Sequence, residues 1–225
     1  FFESSMNDII SHIKDIFIAD VCHDLAGVVM VGGFAESMVV NSAFKTAFPD
    51  KNFIIPMESG LAVAKGAVLY GHDPDVICSR ICRYTYGEEV WDPFNEDLHE
   101  HYRQTIIEGG LYCTGCFRKF FTIGQVVSQG ESIEMTSTIS FVDNHRQILR
   151  NFPINVSVYI SKKKSPMFVD EEGCLLLGKI KIECKNSQWP ERVYVTVKLE
   201  ITGTEIKVTP MMHTGEQVTA TFDFL

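Results

Sequence analysis

Long apolar runs are missing from this chain. No stretch approaches the roughly 18 consecutive apolar residues that a membrane-spanning helix needs, so no membrane span is expected. Positive charge is also scarce: 20 Lys and Arg stand against 29 Asp and Glu, a formal net charge of −9. A general nucleic-acid binder needs a basic surface to displace counterions. The one dense basic run, Lys162-Lys163-Lys164, reads as a solvated loop, so nucleic acid is not an expected partner. The 7 cysteines are odd in number and follow no framework spacing, which points to a reduced, cytoplasmic setting rather than a disulfide scaffold. The start, Phe1-Phe2-Glu3, carries neither an initiator Met nor a charged-then-apolar leader pattern. It reads like a piece of a longer chain. No internal repeat or low-complexity segment is visible.

What is present divides into two patterns. Over residues 1–74, helix and strand signals alternate. Ile9, Ile10, Ile13, Ile16 and Phe17 recur at helical spacing. The run Val28-Val29-Met30-Val31 suits a buried parallel strand and is broken by Gly32-Gly33. A helix is expected from Glu36 to Phe48, ended by Pro49-Asp50, then a strand at Phe53-Ile54-Ile55 and a helix from Ser59 to Tyr70. That last helix is rich in Ala and Gly and would pack closely against a neighbour. An α-β-α-β-α order favours a parallel α/β layer.

From residue 77 to 225 the period becomes two. Val193, Val195, Val197, Leu199 and Ile201 alternate with Tyr194, Thr196, Lys198 and Glu200, as in a half-buried strand. Similar alternation marks 133–141, 154–160, 177–184, 205–208 and 217–224. Turn residues separate these runs, the signature of an antiparallel sandwich. Residues 91–116 do not alternate and read as an insertion or long loop.

The corner Val28-Val-Met-Val-Gly-Gly-Phe-Ala-Glu-Ser37 carries the most chemical information. A strand runs into two glycines and a helix. Glycine lets a ligand approach the backbone, and the following helix N-terminus offers free N–H groups. Many α/β proteins use such a corner only to turn the chain. About twenty residues later comes Ile55-Pro, then Gly60-Leu-Ala-Val-Ala-Lys-Gly-Ala-Val-Leu-Tyr-Gly71. Together these two elements resemble the adenosine motif and hinge helix of the actin-like ATPases of the heat shock 70 kDa family. The Gly-Gly-Phe-Ala-Glu-Ser continuation, Asp73-Pro74 and Tyr84-Thr85-Tyr86-Gly87 are similar to its divergent 12A/12B branch.

The resemblance implies the C-terminal part of an actin-like nucleotide-binding lobe over 1–74 and a substrate-binding β-sandwich over 77–225. The fold class is thus α/β plus β. It implies ATP or ADP as cofactor, with Mg in the full-length parent, and Gly32, Gly33, Phe34 and Glu36 at the adenosine. Phe34 stands where common members carry Ser. Glu36 stands where they carry the Arg that stacks on adenine, a planar cationic contact a carboxylate cannot supply. Gly60 stands where they place Asp. The family's phosphate loops, Mg-coordinating Asp and catalytic Lys would lie upstream of Phe1, so no catalytic residue is assigned and this chain alone is not expected to hydrolyse ATP.

The segments Leu175-Leu-Leu-Gly-Lys-Ile-Lys-Ile182, Pro190–Ile201 and Thr204-Glu-Ile-Lys-Val-Thr209 resemble the family's client-binding sandwich. That implies unfolded or extended protein segments as partners, held in strand-like fashion, with Ile154 and Val156 nearest the pocket-lining positions. It names no co-chaperone. The plain alternative is that both are core residues, since alternating apolar residues usually mark the buried face. A rival function is a protein-binding or scaffolding module that keeps the fold but ignores nucleotide. A sugar-kinase-type enzyme of the same lobe is disfavoured by the sandwich.

Cys113-Thr-Gly-Cys116 has the spacing of a zinc half-site or redox pair, with Cys78 and Cys82 as conceivable further thiolates. His99 and His101 sit among Glu88, Glu89, Glu96, Asp97 and Glu100, most simply an acidic solvated loop. No metal site is assigned from the sequence.

Overall fold

The computed structural model describes residues 3–18, 22 and 25–224. The chain separates into two compact units, Phe1–Val76 and Ile77–Leu225.

Among its described residues the first unit contains the α-helices α1 (Glu3–Ile18), α2 (Met38–Ala47) and α3 (Ser59–His72), and two short strands, β1 (Val28–Val29) and β2 (Phe53–Ile54). The strands pair in parallel, Val28 opposite Phe53 and Val29 opposite Ile54. A 3-10 turn, Gly33–Glu36, precedes α2. The α-β-α-β-α order is the one the periodicity predicts, although the strands are shorter. The core is small. Met6, Val40, Phe44 and Phe48 are buried together, with Phe17 and Phe53 packed against them. Phe17 meets Phe48 edge-on at 5.1 Å and Phe44 meets Phe53 at 5.5 Å, geometries favoured by the ring quadrupoles. In α3 only Ser59 is buried. Leu61, Val63, Val68 and Leu69 are each more than half exposed.

The second unit is built from antiparallel strands. β3 (Ser79–Ile81) pairs with β7 (Val126–Ser128). β4 (Thr85–Pro93), β5 (Gln104–Ile107), β6 (Gly110–Phe121), β9 (Ile154–Ser161) and β10 (Cys174–Ile182) form a five-stranded sheet ordered β10-β9-β4-β6-β5. β8 (Ser132–Ser140), β11 (Arg192–Thr202), β12 (Glu205–Met212) and β13 (Ala220–Asp223) form a four-stranded sheet ordered β13-β12-β11-β8. Both sheets contribute to one core, with Ile154, Val156, Val158, Ile180 and Ile182 from the first and Val193, Val195, Val197, Leu199 and Ile206 from the second. The five inward residues of β11 are at most 3% exposed. Burying each such aliphatic side chain contributes roughly 1.5–3 kcal/mol relative to leaving it in water.

Residues 91–116 are not the long loop that their lack of alternation suggests. They hold the end of β4, all of β5 and the first half of β6, with β5 and β6 joined in a hairpin at Glu108-Gly109. The pattern is hidden because β6 buries side chains on both faces. Cys113, Cys116, Phe117, Phe120 and Phe121 are all under 9% exposed. Period-two alternation reports a strand with one wet face, and β6 has none along much of its length.

Trp189 ties a loop to this core. It is fully buried, and its indole N–H donates to the Phe152 carbonyl at 2.9 Å. Arg150 Nε donates to the Trp189 carbonyl at 2.6 Å. Among the described residues no helix is long and apolar enough to cross a membrane.

Candidate functional site

The glycine corner of the first unit has a defined geometry. Gly32 lies at φ 93°, ψ 162°, a conformation essentially confined to glycine. Its N–H donates to the Ser59 carbonyl at 2.8 Å. A Cβ added at Gly32 or Gly33 would meet no atom within 4 Å among the described residues, so this face of the backbone is open. Phe34 beside it is 53% exposed. The corner thus presents bare backbone and one aromatic ring.

Glu36 is engaged elsewhere. Helix α3 begins after Glu58, which sits at φ 59° and provides no side-chain cap. The first amides of a helix lack intrahelical partners. Glu36 Oε1 accepts the Gly60 N–H at 2.9 Å and the Ser59 hydroxyl at 3.0 Å. A carboxylate is favoured at this positive end of the helix. The Gly60 N–H and then the Ser59 hydroxyl hold it below the usual carboxylate range. Glu36 and Gly60, where the sequence departs from the pattern it resembles, are therefore one arrangement. A Cβ at Gly60 would lie 3.4 Å from Glu36 Oε1, and an Asp there would set two carboxylates face to face.

The second unit holds a cavity of about 760 Å³. Ile154 and Val156 of β9 line it from one sheet, and Val195 and Val197 of β11 from the other. Ile154 and Val156 are 6% and 7% exposed and belong to the main core. They are thus core residues and cavity walls at once.

Polar groups that the sequence did not bring together also line this cavity. Glu88 is 4% exposed and is not part of a solvated acidic loop. Arg118 answers it with Nε at 3.1 Å and Nη2 at 2.6 Å on Glu88 Oε1, and reaches Ser137 Oγ at 2.6 Å and the Thr136 carbonyl at 3.2 Å. Desolvation nevertheless pushes the Glu88 carboxyl above its ordinary range, with Arg118 opposing. Arg146 stacks over Trp91 at 5.0 Å. Its Nη1 is buried without a hydrogen-bond partner among the described residues. Glu88 and Arg118 lie 30 residues apart, so their meeting depends on the β4-β6 pairing, which local sequence does not reveal.

The four cysteines weighed as thiolate ligands do not assemble. Cys82 lies in the main core, Cys78 is exposed, and Cys113 and Cys116 are buried in a separate cluster with Val90 and Phe168.

No family model matches the chain. Individual proteins do. It is 31% identical over 229 residues to heat shock 70 kDa protein 12A of Mus musculus and 30% identical to that of Homo sapiens. It is 27% identical over 235 residues to heat shock 70 kDa protein 12B of Homo sapiens. Each alignment takes in the whole chain and 33% of the relative, so the chain spans about a third of the length of the curated relatives it matches. The likeness read from the glycine corner therefore runs from one end of the chain to the other, and what the chain is similar to is a third of the heat shock 70 kDa proteins 12A and 12B.

Proposed function

We propose that this chain is part of an ATP-binding, chaperone-like protein of the cytoplasm. In this reading its first unit is the end of an actin-like lobe. Gly32, Gly33 and Phe34 receive the adenosine of ATP or ADP on the open backbone face. Glu36 fits that role poorly, because its carboxylate is held by Ser59 and Gly60. The second unit is a β-sandwich that holds an extended segment of a client protein.

The observation that carries the client-binding role is the cavity bounded by Ile154 and Val156. Its walls are apolar where β9 and β11 face it, and the unpartnered Arg146 Nη1 offers a hydrogen bond to a carbonyl or carboxylate. A bound segment satisfies both. Anisotropy of labelled extended peptides, titrated with the chain, tests this. Val156→Phe fills the space at the cost of some overpacking. Peptide binding that Val156→Phe abolishes, with circular dichroism unchanged, is the expected result. Binding indifferent to that substitution rejects the cavity as the site.

A second reading is favoured by Glu36. With the cationic adenine partner replaced by a helix cap, the fold serves as a protein-binding scaffold that ignores nucleotide. ATP titration of the full-length parent separates the two. Peptide affinity weakened by ATP supports the chaperone, and unchanged affinity supports the scaffold.

A further inference from the structure

Cys113 and Cys116 are three apart on one strand. In a regular strand, side chains alternate, so residues i and i+3 point to opposite faces. Here they do not. Val90 of β4 lies opposite Cys116, but Asp92 lies opposite Cys113. One residue of β4, Trp91, therefore faces two of β6, Thr114 and Gly115, which is a β-bulge. Gly115 takes up the irregularity at φ 72°. The extra residue restores the phase, and both thiols come to the same buried side, 0% and 4% exposed.

A third group arrives from outside the strand pair. After β4 the chain makes a tight turn in which the His99 N–H donates to the Asn95 carbonyl at 2.8 Å. Phe94 and Phe168 pack against the imidazole at 5.7 Å and 6.1 Å. The ligating atoms of His99, Cys113 and Cys116 then lie within 4.8 Å of one another. Among the described residues the sulfurs meet backbone groups and each other, the Asp92 N–H at Cys116 included. Cys116 Sγ reaches the Cys113 carbonyl at 3.5 Å and Cys113 Sγ the Thr114 carbonyl at 3.7 Å.

We propose that His99, Cys113 and Cys116 form a zinc site. Two thiolates and an imidazole are the soft donor set that zinc selects. Zinc bonds of about 2.0–2.3 Å place tetrahedral ligands roughly 3.5–3.8 Å apart, so no pair of the three atoms has to close by more than about 1 Å on loading. Each thiol gives its proton to solvent, and the two thiolates neutralise the dication, which suits a buried position. The imidazole lends a lone pair. In the metal-free ring Nδ1 accepts the Asn95 N–H at 3.1 Å. Whichever nitrogen ligates, that bond is given up, because a ligating Nε2 leaves the proton on Nδ1. Water completes the tetrahedron. The metal pins the Asn95–His99 turn to β6 and so braces the bulge. This inference does not depend on nucleotide or client binding.

Cobalt(II) titration of the full, reduced chain is the test. One equivalent should bind with a thiolate-to-cobalt charge-transfer band and tetrahedral d–d bands, and zinc should displace it. Cys116→Ser and His99→Ala should each remove the stoichiometric step. His99 is only partly buried, so its variant keeps the fold, as a melting curve will show. Cys78→Ser, at an exposed thiol, should change nothing. Chelation should speed protease nicking in the Asn95–His99 turn. Failure of the reduced chain to bind cobalt overturns the proposal, as does binding that survives His99→Ala and Cys116→Ser.

Discussion

The Glu36 carboxylate accepts the backbone N–H of Gly60 at 2.9 Å, across 24 residues of sequence. It caps a helix that its own preceding residue leaves uncapped. Gly60→Asp should lower the melting temperature of the chain, because it places a second carboxylate beside the first. Glu36→Arg combined with Gly60→Asp should recover much of the loss, and a double-mutant cycle by thermal denaturation measures the coupling.

The same contact has a pH signature. The folded-state carboxyl of Glu36 lies below its ordinary value, so the native state binds its proton later than the unfolded chain does. The resulting stability is present above the ordinary carboxylate range and is lost as pH falls through the folded value. Glu36→Gln should flatten that part of the acid limb in a series of melts. Glu88 has the opposite sign. Its carboxyl is raised, so its contribution grows as pH falls through the folded value and disappears at higher pH.

Arg118 compensates a carboxylate that has left water. Arg118→Met should cost about 3 kcal/mol in chemical denaturation, the low end for a broken buried pair, because a quarter of the Arg118 side chain remains exposed. Glu88→Met together with Arg118→Met should cost far less than the single change. Similar losses from the single and double variants would mean that the pair contributes only through packing.

Gly87 has no room for a side chain. A Cβ there would lie 2.1 Å from the Phe117 ring and 2.6 Å from the Arg118 carbonyl oxygen. The ring could move, but the strand backbone cannot without shifting the β4-β6 ladder. Gly87→Ala should destabilise by about 3 kcal/mol, toward the upper end of overpacking costs, measured by urea denaturation.

Trp189→Phe keeps most of the buried ring but leaves the Phe152 carbonyl without its 2.9 Å donor. The expected loss is about 1–3 kcal/mol, the desolvation penalty of one orphaned group. Trp189→Ala should cost more, since a cavity is added.

Legibility in the sequence followed solvent exposure. β11 was readable because each inward Val or Leu alternates with a wet neighbour, and its bounds, Arg192–Thr202, differ by only a residue from the alternating run. The helices at 3–18 and 38–47 were readable from their apolar spacing. β6 was not, because it is covered on both faces. The cavity was unreadable for another reason. Its ion pair joins residues that only strand pairing brings together. The glycine corner announced its backbone but not the fate of Glu36, since a cap donated from 24 residues away leaves no local signature. The Cys113-Thr-Gly-Cys116 spacing was visible, whereas the bulge that turns both thiols one way was not.

Helix α3 bears on how the protein must be handled. Leu61, Val68 and Leu69 fall on one side of the helix at 100° per residue and keep 54–69% of their surface in water, on a helix whose sequence calls for close packing. Water penalises each of those side chains, and two molecules that meet along them relieve the penalty together. Scattering from this chain should therefore rise with its concentration, and a mild detergent or a Leu61→Lys change should keep it dispersed without touching either the glycine corner or the cavity.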